Sequence, residues 1–89
     1  GKASNNMEEI IKAAYAKRVD CLFLEKGRHI LGSYDPDKGE LVVYEKEETG
    51  AEDLLDFAAI QTILSGGAVY IMEEDKMPDE NPAAALYRY

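Results

Sequence analysis

The 89 residues include one cysteine, one histidine, and only ten lysines and arginines against eighteen aspartates and glutamates. A single thiol, Cys21, excludes an internal disulfide and a thiolate metal cluster within the chain. The lone imidazole, His29, has no partner at a suggestive spacing, so it is read as an exposed strand or turn residue. The formal charge is −8. Such a surface repels phosphate backbones, whereas nucleic-acid binders usually carry a basic stripe, so direct contact with nucleic acid is disfavoured. No apolar run approaches the ~18 to 20 residues of a membrane span, and no charged-then-apolar leader opens the sequence. A cytoplasmic location without membrane contact is the expectation. Nucleophile-elbow, phosphate-loop and dinucleotide glycine patterns are missing as well, and no cofactor is implied.

What the chain does have is organised around Gly50 to Met72, GAEDLLDFAAIQTILSGGAVYIM. Ala51, Glu52 and Asp53 open a helix with carboxylates at its positive end. Leu54, Leu55, Phe57, Ala58, Ala59, Ile60, Ile63 and Leu64 then point in nearly every direction, which predicts a helix largely enclosed. Gly66 and Gly67 are expected to supply the left-handed residues that stop it. Ala68 to Met72 reads as an apolar strand. A double glycine followed by a strand cannot cradle phosphate at a helix N-terminus.

Upstream, Ser4, Asn5 and Asn6 offer N-caps with Glu8 or Glu9 as partners. Met7, Ile10, Ile11, Ala14 and Tyr15 recur at helical spacing, predicting a helix over 5–18, with Glu8 and Lys12 paired one turn apart. Lys17 and Arg18 would sit at its negative end. Cys21 to Leu24 are apolar without alternation, as in a central strand covered on both faces, where Cys21 packs rather than reacts. Residues 28–45 suggest a hairpin around the turn Asp35-Pro36-Asp37-Lys38-Gly39. That turn superficially resembles the start of a calcium loop, but Pro36 and missing later ligands favour a plain β-turn. Ala83 to Tyr89 reads as a closing strand. These elements in this order predict one α/β domain over 5–89, with a mixed or parallel sheet and packed helices, residues 1–4 being linker or introduced residues. It is expected to be a piece of a longer protein.

Two stretches carry possible chemistry. Glu73, Glu74 and Asp75, continuing to Asp79 and Glu80, form a carboxylate-rich loop beyond a strand's C-terminal end, where α/β sheets often bind ligands. It is a candidate for a divalent metal or a metal-assisted reaction, against the reading as an ordinary solvated loop. Tyr87, Arg88 and Tyr89 combine aromatic and guanidinium groups favoured at protein interfaces. The duller alternative is an edge strand with Arg88 stacked on an aromatic ring.

The order R-V-D-C-L-F-L (Arg18 to Leu24), then Gly50 to Met72, then A-A-A-L-Y-R-Y (Ala83 to Tyr89) resembles a bacterial family. These are the bacterial relatives of the archaeal and eukaryotic peptide-chain release factor and of Pelota, in their C-terminal, third domain, from about Ala13 onward. Asn81-Pro82 stands where a glycine pair is common in the archaeal and eukaryotic relatives. The resemblance implies a three-layer α/β/α sandwich like that of kink-turn-binding ribosomal proteins. It implies a non-catalytic module docking a protein partner or the ribosome, since release-factor hydrolysis depends on a Gly-Gly-Gln tripeptide of the middle domain and Gly66-Gly67-Ala68 lacks the glutamine. In the relatives the third domain docks a translational GTPase and a recycling ATPase. Binding of RNA by the same fold, or an enzyme built on Glu73 to Glu80, are the alternatives.

Overall fold

The computed structural model describes residues 3–44, 51–77 and 81–88. They form a small mixed α/β unit with two sheets and two helices. A short strand, β1 (Ala3–Ser4), leads to α1 (Met7–Tyr15), and β2 (Val19–Glu25) follows. A hairpin of β3 (Leu31–Asp35) and β4 (Glu40–Val43) comes next, then β5 (Glu52–Asp53) and α2 (Leu54–Leu64). The parallel partner of β2 is β6 (Ala68–Met72), and a 3₁₀ turn over Glu74–Lys76 precedes the last strand, β7 (Ala83–Tyr87). The main sheet has the order β1-β7-β2-β6 and the smaller one β4-β3-β5. Ala3 and Ser4, expected to lie ahead of the domain, pair antiparallel with β7.

The first helix is shorter than the predicted 5–18. Asn6 caps it, accepting from the Glu9 amide at 3.1 Å, and the Glu9 carboxylate accepts from the Ser4 hydroxyl at 2.6 Å. The expected Glu8–Lys12 pair forms at 3.0 Å. The helix stops early because Lys17 takes the left-handed conformation, φ 62°, usually reserved for glycine. That turns the chain so that the Arg18 amide donates to the Ala13 carbonyl.

Among the described residues the main sheet is covered on one face only, which corrects the expectation for β2. Both helices pack against β2 and against each other, so they share a side of the sheet. Leu22, Leu24, Ala83, Ala85 and Tyr87 point into that layer and meet Ile10, Ile11, Ala14, Leu54, Leu55 and Ala58 in the core. Val19 and Leu22 are three apart, yet both are buried, because a register shift at Asp20 turns the strand over. On the other face the register aligns Cys21 with Leu86 and Ala68, and Phe23 with Ala84 and Tyr70.

Asp53, not Ala51, opens α2; its carboxylate accepts from the Leu55 amide at 3.0 Å and the Asp56 amide at 3.4 Å. The helix is not enclosed as its composition predicts. Ile60, Ile63 and Leu64 are exposed, Leu64 to 73%. Of the two glycines expected to stop the helix, only Gly66 is left-handed (φ 88°). Gly67 serves another purpose, since a Cβ there would lie 2.7 and 2.8 Å from the Val19 and Asp20 carbonyl oxygens. The glycine lets the α2–β6 turn sit directly on the start of β2. The predicted Asp35 turn is present, with the Asp35 carboxylate accepting from the Asp37 amide at 3.0 Å. Its hairpin leans on the helices through Tyr34, which meets Tyr15 edge-on at 5.8 Å.

Candidate functional site

Parallel strands end on the same side of a sheet, so the segments after β2 and β6 and the start of α2 come together. Leu24 to His29, Asp53, Asp56, Ala59 and Ile71 surround a hollow of about 240 Å³ there. His29 is exposed, as expected, yet it has a partner 24 residues away: its Nδ1 lies 2.7 Å from Asp53 Oδ2. Asp53 thus spends one carboxylate oxygen on capping α2 and the other on His29. Burial alone would raise the Asp53 pKa. The hydrogen bond from His29, the Asp56 and Leu55 amides and the His29 charge outweigh it and hold the carboxyl below its usual range. Arg28 Nη1 lies 3.4 Å from the buried Glu25 carboxylate. The sequence gives no local signal for the His29–Asp53 pair, because strand pairing between Leu31 and Asp53 creates it.

The acidic loop follows β6 in the same region. Glu73, Glu74, Asp75 and Met77 line a broad hollow of about 700 Å³. Glu73 lies 3.7 Å from the Lys26 ammonium, an exposed ion pair joining the two loops. Among the described residues, no three histidine, cysteine, aspartate or glutamate side chains converge closely enough to hold a metal ion. Asp79 and Glu80 lie outside the described residues. The His29–Asp53 pair caps α2 and ties the segment after β2 to the start of that helix.

The tail residues separate. Tyr87 is 9% exposed and belongs to the core, under the guanidinium of Arg18 at 5.5 Å. The cation over the ring is Arg18, not Arg88. Strand β7 runs inside the sheet rather than at its edge, between β1 and β2. The Tyr87 hydroxyl finds no hydrogen-bond partner in ordinary geometry. Burial raises its pKa; interactions with Ser4 and Arg18 oppose the rise and Glu9 reinforces it. Arg88 is exposed, and its guanidinium donates to the Val19 carbonyl at 3.2 Å while its amide donates to Arg18. Tyr89 lies outside the described residues.

The feature that sequence reading missed is the open sheet face. Ala3, Phe23, Ala84 and Leu86 line a mostly apolar depression of about 280 Å³ on it. Phe23 and Tyr70 stack beside it, ring centroids 5.3 Å apart. Reading β2 as covered on both sides hid this surface, because an apolar run looks the same whether one face or two is buried within the domain. Among the described residues no helix is long and apolar enough to cross a membrane. Compared with known proteins, the chain matches no family model and no curated protein.

Proposed function

We propose that the domain is a non-catalytic docking module of a release-factor-like cytoplasmic protein, engaging a protein partner or the ribosome. The observation that supports this reading is the open apolar sheet face carrying Phe23, Tyr70, Ala84 and Leu86. An apolar, slightly concave face of this kind suits a partner side chain or helix. The three-layer α/β/α sandwich of the resemblance belongs to the same proposal. The helices occupy one side of the main sheet, and a docked helix on the open side would complete the third layer. Arg88, exposed at the end of β7, would contribute to the rim of such a contact.

Co-sedimentation of the purified chain with bacterial ribosomes, with and without a translational GTPase, tests the proposal. The wild-type chain should pellet with one of them. Leu86→Lys, which places a charge on the open face, should abolish binding, and Arg88→Ala should weaken it. A chain that pellets with neither component, or that binds equally well as Leu86→Lys, refutes the reading.

A further inference from the structure

One edge of the main sheet is β6, and among the described residues it has none of the usual protections. Its residues, Ala-Val-Tyr-Ile-Met, contain no charge and no proline, and its register with β2 is unbroken. Such edges are templates for another strand. The Met72 carbonyl accepts from the Lys26 amide at 2.7 Å, so Met72 directs its backbone groups toward β2. With a period of two, Tyr70 and Ala68 do the same. The amides and carbonyls of Val69 and Ile71 therefore point outward, and no described strand lies on that side.

We infer that β6 pairs antiparallel with β6 of a second copy of this chain, about a two-fold axis through Tyr70. The register satisfies three conditions together. Val69 faces Ile71 of the second copy, and their outward amides and carbonyls form a hydrogen-bonded pair, twice by symmetry. Tyr70 faces its own twin at a non-hydrogen-bonded position, where side chains approach most closely, and extends the Phe23–Tyr70 stack across the axis. Glu73, directly after the strand, falls opposite Gly67 of the second copy, so the acidic end meets glycine instead of its own twin. Parallel pairing would set the two Glu73 residues side by side.

The helical layer fits the same axis. Asp56 and Ala59 of α2 share a hollow with Ile71, which puts this flank of the helix above the β6 edge. Ile63, one turn beyond Ala59, continues it. Ile63 and Ile71 are 61% and 60% exposed. An axis normal to the sheet keeps the helices of both copies on one side and brings these isoleucines together. The pairing thus covers α2's unenclosed flank and the bare strand with one contact. It stands on the edge geometry alone and does not depend on the docking proposal.

Sedimentation equilibrium of the full chain across the micromolar to millimolar range gives the test. A monomer–dimer equilibrium is expected. Added salt should strengthen it, because two bodies of charge −8 repel less when screened. Ile71→Lys and Ile63→Glu alter exposed side chains, so each should keep the far-ultraviolet spectrum while weakening dimerisation at least about tenfold. In a Cys21→Ser background, Tyr70→Cys should cross-link to its twin under oxidised glutathione, and Val69→Cys should not, since only the central pair is self-facing. A chain that stays monomeric throughout overturns the inference. So does a dimer that survives Ile71→Lys and leaves Tyr70→Cys uncross-linked, or one that salt dissociates.

Discussion

Replacing Asp53 by alanine should lower stability by about 1–2 kcal/mol, because one carboxylate holds two structures together. As the N-cap of α2 it accepts from the Leu55 and Asp56 amides, and losing such a cap costs about 1 kcal/mol. Its second oxygen holds His29, whose side chain is 72% exposed, so solvent limits that pair to a few tenths of a kcal/mol. In urea denaturation the midpoint should fall without a change in slope. A loss of this size lowers Tm by about 4–8 °C per kcal/mol in a domain this small. Asp53→Asn caps nearly as well but carries no charge, so it should retain most of the stability and lose the acid dependence. The sign follows from the depressed pKa. The Asp53 contribution is fully present above its unfolded value of about 4 and is lost as pH falls through the lower folded value. Wild type should therefore lose more stability than Asp53→Asn on acidification below about pH 4. If Asp53→Ala matches wild type within about 0.3 kcal/mol at neutral pH, the cap described for α2 is not stabilising and the reasoning fails.

Three further substitutions probe backbone and burial, each read by urea denaturation. Lys17→Gly should stabilise by about 0.5–1 kcal/mol, since glycine relieves the left-handed conformation that ends α1 at some cost in chain entropy. Gly67→Ala should destabilise by about 1–3 kcal/mol, because its methyl group would press on the Val19 and Asp20 carbonyls. Tyr87→Phe removes a buried hydroxyl that has no partner in ordinary hydrogen-bond geometry among the described residues, and should be neutral or stabilising by up to about 1 kcal/mol. The raised phenol pKa adds a second sign: wild type should lose stability above about pH 10, and Tyr87→Phe should lose less.

Local chemistry was legible where one segment determines the outcome. The strand over Ala68–Met72, the Asp35 turn and the Glu8–Lys12 pair each follow from residues close in sequence. The boundaries of α1 were less so, because Lys17 does at its C-terminus what glycine ordinarily does. Contacts that depend on strand register were illegible. His29 meets Asp53 only because Leu31 pairs with Asp53, and Arg18 lies over Tyr87 only because β7 runs beside the start of β2.

The apolar face of α2 is a different case. Its composition signalled burial, yet the fold provides burial only for Leu54, Leu55, Ala58 and Thr62. Tyr15, exposed on α1, is accounted for internally, since it packs between Tyr34 and Phe57 at 5.8 and 6.5 Å. Ile60, Ile63 and Leu64 remain exposed, and Ile63 continues the flank of Asp56 and Ala59, which borders Ile71 on edge strand β6. At about 100° per residue Ile60 and Leu64 lie further round the helix, so Ile63 and Ile71 are the exposed apolar pair on the side where helix flank and edge strand adjoin. On the pairing proposed for β6, the exposed Ile63 flank of α2 is apolar because a second copy covers it. A helix apolar all round need not be a core helix of its own domain if the remaining side is reserved for a second chain.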